Sequence, residues 1–243
     1  MTTFVRDTRT VFVREFTPSL RNPVMLVMEM VQPLLFLVLF GSLLNGQWQW
    51  FVPGILVMMC LSGPMSAGYN LLVELLGGSM ERLLVTPLSR TAMLVGRTMK
   101  EMLVLLCQAL LIILVALPLG FRLHPTGVLA GLGLLVILGI GLGSFSFVLA
   151  IKSVPSGTLF YLVTQWLLFP LLMLSGVLLP IDSGPAWMRA VGVINPAKHV
   201  VDAERALFAG DLANPSILYG TAAASIVAVA GLILGNRALR KGV

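Results

Sequence analysis

The chain has 243 residues, 58% of them hydrophobic and only 11% charged, with a mean hydropathy of +0.98. One small water-soluble core cannot hide that much apolar surface, so an integral membrane protein is expected. The formal charge of +6 needs no nucleic acid to explain it, because basic residues of membrane proteins gather beside anionic cytoplasmic lipid, and there is no basic run with the interleaved aromatic platform that nucleic-acid binding uses.

Residues 1–22 read as an amphipathic helix. Phe4, Val5, Thr8, Val11, Phe12 and Phe16 recur at helical spacing, while Arg6, Arg9, Thr10 and Arg14 fall largely on the other side. This pattern predicts a helix lying flat on the inner leaflet, ended by Pro18 and by Asn22-Pro23. A cleavable signal peptide is not expected, since a polar segment precedes a first span too long for one.

Apolar runs at 24–44, 51–73, 102–119, 128–151, 158–179 and 217–234 approach or exceed the roughly 18–20 residues needed to cross a bilayer. Backbone groups in lipid must pair internally, so six helical spans are expected. The first contains Glu29 and Pro33. Glu29 reads either as the partner of an arginine of the flat helix, Arg14 or Arg21, or as a substrate or proton site; the structural pair is preferred. Pro64 in the second span and Pro170 in the fifth each permit a kink. In the fourth, glycines at 127, 131, 139 and 143 leave a bare face for another helix, and Gly220, Ala224, Ala228, Gly231 and Gly235 repeat the idea in the sixth.

Residues 77–100 form the largest polar break in the first half of the chain, and 180–215 the longest connection in the second. The latter, with Trp187, Asn195-Pro196 and an amphipathic run over 199–208, reads as two short helices over the external mouth of the bundle. Of the 16 lysines and arginines, twelve fall in the segments on the side of the termini and four in the others, which predicts that both termini are cytoplasmic.

The chemistry of an enzyme is thin. None of the lysines is preceded by glycine, so there is no Walker-type phosphate loop. His199 and Asp202 stand at helical spacing near Glu204, a conceivable metal or acid-base pair, though a solvated helix face is the simpler reading. Cys60 and Cys107 fall inside spans and read as free packing cysteines.

Within the polar break, Gly78-Ser79-Met80-Glu81-Arg82-Leu83-Leu84-Val85-Thr86-Pro87-Leu88-Ser89-Arg90 resembles the cytoplasmic loop after span two in type 2 ABC transporter permeases (ABC-2 type). The closest likeness is to the drug-resistance and nodulation-factor export branch, the daunorubicin-type multidrug permeases. Leu179-Pro180, Trp187, Ile194-Asn195-Pro196, Asp202, Arg205 and Gly210 resemble the same family's outer segment. The chain departs from the family after Pro196, where Ala197-Lys198-His199 replaces an apolar-Thr-aromatic step.

The resemblance implies an all-α membrane domain of 243 residues that moves a lipophilic drug, natural product or lipid out of the cytoplasm or inner leaflet. It implies no catalytic residue, metal or cofactor on this chain, with ATP and magnesium held by two copies of a separate ATPase subunit. A second permease, identical or different, completes the complex in the plasma membrane, in a bacterium the inner membrane. Gly78, Ser79, Glu81, Arg82, Thr86, Pro87 and Arg90 would form the coupling helix seated on the ATPase, with Arg6, Arg9, Arg14 and Glu29 serving the contact of the N-terminal helix. Gln32, Tyr69, Asn70, Tyr161, Thr164, Gln165 and Trp166 would line the path, and Trp187, Asn195, Pro196, Asp202 and Arg205 would belong to the external cap. Export of a lipid-linked glycan by the same architecture, and a membrane enzyme centred on His199 and Asp202, are the alternatives.

Overall fold

The computed structural model describes residues 2–43, 46–77, 90–178, 180–181 and 184–241, and all regular structure among them is helical. In chain order the helices are α1 (Thr2–Arg21), α2 (Pro23–Leu43), α3 (Trp48–Ser62), α4 (Met65–Leu76), α5 (Arg90–Ala116), α6 (Pro125–Lys152), α7 (Thr158–Met173), α8 (Ala186–Ile194), α9 (Pro196–Phe208) and α10 (Pro215–Lys241). Among the described residues four stretches are long and apolar enough to cross a membrane: Trp48–Leu76, Thr91–Leu119, Pro125–Lys152 and Pro215–Ala238. Two apolar stretches are shorter, Val27–Leu43 and Thr158–Met173.

The shortness of α7 corrects the fifth predicted span, which runs to residue 179 in the sequence reading. At 1.5 Å per residue α7 is about 24 Å long, less than the ~30 Å of a hydrocarbon core. Pro170 has no N–H for the Trp166 carbonyl, the preceding turn widens to π geometry over Val163–Leu167, and Gly176 reverses the chain at a φ of 78°. Pro64 acts as expected. Lacking a donor for the Cys60 carbonyl, it separates α3 from α4 within one continuous apolar stretch.

The bundle forms around α3, in which every residue from Phe51 to Leu61 is buried. α6 and α10 approach closely because Gly141 and Gly231 face each other. A Cβ on Gly141 would sit 2.7 Å from the backbone nitrogen of Ala228, and one on Gly231 would strike the Gly141 carbonyl. The four-residue glycine period predicted as one seam on α6 does not act as one. Gly127 and Gly131 face α9, Gly139 faces the Met102 side chain of α5, and Gly143 has only ordinary contacts. A period of 4 against 3.6 residues per turn drifts about 40° per repeat, so the ends of such a row point to different sides.

α1 differs from its sequence reading in two ways. It runs through Pro18 to Arg21, with the Asn22 N–H donating to the Pro18 carbonyl at 3.1 Å, so Pro18 does not end it. Of the six residues assigned to its apolar face, only Thr8 and Val11 are buried, together with Asp7. They pack on α5, where Gly96 leaves room for the Thr8 carbonyl and the Val11 side chain. Phe4 and Val5 remain exposed.

Candidate functional site

A cavity of about 450 Å³ opens between α2, α3, α5 and α7. Apolar walls come from Phe36, Met58, Met59 and Leu172, and a row of polar groups projects between them. α2 contributes Glu29 and Gln32, one turn apart at i, i+3. α5 contributes Glu101 and Gln108, two turns apart on one face. The π turn of α7 contributes Thr164 and Gln165, whose backbone register is shifted by the widened turn. Ser66 Oγ lies 3.1 Å from Glu101 Oε2, Lys100 Nζ pairs with Glu101 Oε1 at 2.9 Å, and Gln108 donates to Glu29 Oε2 at 3.3 Å.

The structure gathers Gln32, Thr164 and Gln165 at one cavity with Glu29. The other candidates for the path lie elsewhere. Tyr69 and Tyr161 pack edge to face with centroids 6.2 Å apart and are half-exposed, Asn70 is exposed, and Trp166, on the far side of the π turn, is 77% exposed. The sequence reading missed Glu101, Gln108 and Ser66. Its third span starts at residue 102, one position too late to include Glu101, whereas α5 begins at Arg90. The seven-residue spacing of Glu101 and Gln108 is the signal that was available. A second, almost wholly apolar cavity of about 480 Å³ lies on the other side of α7, against Leu138, Leu142, Leu167, Leu171 and Val227.

The preferred reading of Glu29 as the partner of Arg14 or Arg21 does not hold: Glu29 faces Gln108, and Arg14 pairs with Glu74 of α4 at 3.9 Å. The ion pairs form around Arg97 of α5 instead. Its guanidinium, nearly inaccessible, meets Glu15 of α1 at 3.3 Å and also Glu74. Burying an arginine requires such partners, because a lone charge out of water is costly. This cluster ties α1 to α4 and α5 near the two ends from which residues 78–89 depart. Gly78, Ser79, Glu81, Arg82, Thr86 and Pro87 lie outside the described residues, and Arg90 is described only as the first residue of α5. Arg6 and Arg9 are exposed on α1.

On the opposite side, α8 and α9 occupy the segment read as two short helices. α8 is largely exposed, including Trp187, whereas α9 is packed into the bundle through Val200, Val201, Leu207 and Phe208. Pro196 opens α9, and Asn195 caps it, accepting from the Ala197 N–H at 3.0 Å while donating to the Leu171 carbonyl at 2.9 Å. Arg205 donates to the carbonyls of Trp50, at 3.1 Å, and Gly176, at 2.7 Å, with its guanidinium 3.7 Å over the Trp50 ring. His199 and Asp202 do not form a pair. Asp202 binds Lys198 at 2.7 Å, and His199 Nε2 lies 2.8 Å from the Val193 carbonyl. Glu204, beside them in sequence, is fully buried against Gly131 and Phe208, and neither carboxyl oxygen has a hydrogen-bond partner among the described residues. Burial pushes its pKa up from 4.5 to about 8.

The family model for ABC-2 type transporters matches residues 6–209, which takes in the cavity, the Arg97 cluster and α9. The chain belongs to the ABC-2 type transporter family. The protein named transport permease ycf38 of Cyanophora paradoxa is 30% identical over 84% of this chain and 75% of its own length. The daunorubicin resistance ABC transporter permease protein DrrB1 of Streptomyces coeruleorubidus is 27% identical over 77% of this chain and 70% of its own. The protein named multidrug ABC transporter permease YbhR of Escherichia coli is 25% identical over 69% and 46%. This ABC-2 permease is thus a multi-pass membrane protein, the transport subunit of its system without an ATPase domain, and it acts with an ATPase partner.

Proposed function

We propose that this ABC-2 permease is the membrane half of an ATP-driven exporter of the drug-resistance branch, moving a lipophilic small molecule from the cytoplasm or inner leaflet. The observation that carries this reading is the cavity between α2, α3, α5 and α7. Its volume suits one drug-sized molecule, and its few polar groups stand among apolar walls, the make-up of a small-molecule site. A glycan chain would need a longer, more polar passage. Two permeases, identical or different, pair in the plasma membrane, a bacterial inner membrane, with both termini cytoplasmic, and two ATPase subunits dock beneath and bind ATP with magnesium.

Residues 78–90 carry the coupling contact in this proposal, with Glu81, Arg82, Thr86, Pro87 and Arg90 seated on the ATPase. The Arg97 cluster supports the reading by fastening the helices on both sides of that segment to α1. Closure of the ATPases then pushes α4, α5 and α1 as one unit against the walls of the cavity. The test is co-purification of an ATPase with a Walker loop, followed by ATP-driven efflux in vesicles. Glu81→Arg is expected to leave insertion intact and abolish substrate-stimulated hydrolysis. A permease that exports at full rate with no such ATPase present refutes the proposal.

A further inference from the structure

We propose that the cavity selects a lipophilic cation, a molecule with one positive charge on an apolar body, and that Glu29 is the residue that recognises the charge. This deepens the exporter reading and rests on it. The two carboxylates at the cavity are not equivalent. Glu101 is already satisfied, by Lys100 on one oxygen and Ser66 on the other. Glu29 has no ion-pair partner among the described residues, and its one hydrogen bond, from Gln108, is long at 3.3 Å and neutral. With one ammonium for two carboxylates the polar row carries an uncompensated negative charge, and that charge sits on a helix whose neighbouring faces are apolar.

A carboxylate within a span is disfavoured unless a cation or water compensates it. Among the described residues the cation that acts on Glu29 is Lys100, which is already paired with Glu101 and forms no ion pair with Glu29, whereas the same cavity offers the walls an apolar body requires. Phe36 presents a ring one turn beyond Gln32, and Met58 and Met59 supply unbranched, adaptable surface. A bound cation meets Glu29 on one side and an aromatic face on the other, and both contacts favour positive charge. A neutral lipid would leave Glu29 uncompensated, and an anion would face repulsion.

Tetraphenylphosphonium and tetraphenylborate, alike in shape and opposite in charge, separate these cases. Equilibrium binding of each is measured on the permease in detergent, with partitioning into protein-free micelles of the same detergent measured and subtracted. Wild type is expected to bind the phosphonium at least tenfold tighter than the borate. Glu29→Gln is expected to remove that preference, Glu29→Asp to restore part of it, and Glu29→Lys to invert it toward the borate. The inversion keeps the test decisive even if Glu29→Gln folds poorly. Equal affinity for the two ions in wild type, or phosphonium binding unchanged in Glu29→Gln, overturns the proposal. The exporter reading fails separately, if no ATPase co-purifies or no compound of any charge stimulates hydrolysis. A complex stimulated by neutral lipids but indifferent to the phosphonium keeps the exporter and sinks the cation site.

Discussion

Glu204→Gln tests the packing of α9 most directly. The Glu204 carboxyl is fully buried without a hydrogen-bond partner among the described residues, against Gly131 and Phe208, and its pKa rises from 4.5 to about 8. Between these two values the folded protein keeps a proton that the unfolded chain has released. Stability therefore falls as pH rises through this window and levels off above about 8. At 1.36 kcal/mol per pH unit the whole shift corresponds to roughly 5 kcal/mol, of which about 3–4 kcal/mol is lost between pH 5 and pH 8. A chain of this size moves its melting point about 2–4 °C per kcal/mol, so wild type should lose roughly 10 °C across that range relative to the glutamine variant. The assay is thermal unfolding followed by intrinsic tryptophan fluorescence in one detergent, from pH 5 to pH 8.5, for both proteins. Glutamine also leaves polar atoms unpaired, so the pH slope and not the absolute melting point is the readout. Parallel curves refute the reasoning, because a carboxyl that titrates normally is not in the dry site described for α9.

Arg97→Leu should destabilise the packing of α1 on α4 and α5 by about 3–5 kcal/mol, since Glu15 and Glu74 would be left facing each other without their shared cation. The loss should show as a lower melting point and faster proteolysis of α1. Gly141→Val should cost about 1–3 kcal/mol or block folding by separating α6 from α10, whereas Gly133→Ala on the same helix, with nothing within 4 Å of the added methyl, should be neutral in expression and melting point. Asn195→Ala should cost about 1–2 kcal/mol through loss of the α9 cap and should raise hydrogen exchange in the first turn of α9.

The membrane character, the all-helical class and the two short helices over 180–215 could be read from apolar runs and punctuation, because lipid leaves the backbone few alternatives to a helix. Facing could not. Gln32, Thr164 and Gln165 meet in the cavity while Tyr69, Asn70 and Trp166 do not, and nothing in one sequence fixes how far the π turn of α7 rotates the residues after it. Glu101 was lost to a boundary drawn one residue late. The sequence reading pairs Glu29 with Arg14 or Arg21 of the flat helix, yet the fold brings Arg14 to Glu74, sixty positions away. A charge cluster built from α1, α4 and α5 is a property of packing, which pattern reading along one helix does not reach.

Arg205 has a mechanical consequence for its end of the bundle. One guanidinium spans the carbonyl of Trp50 at the head of α3 and that of Gly176 beyond the end of α7, and it sits 3.7 Å over the Trp50 ring. These three parts are riveted together through a single planar group with little freedom to stretch. Any widening at that end must then carry the head of α3, the turn after α7 and all of α9 as one plate, swinging about a seam elsewhere in the molecule.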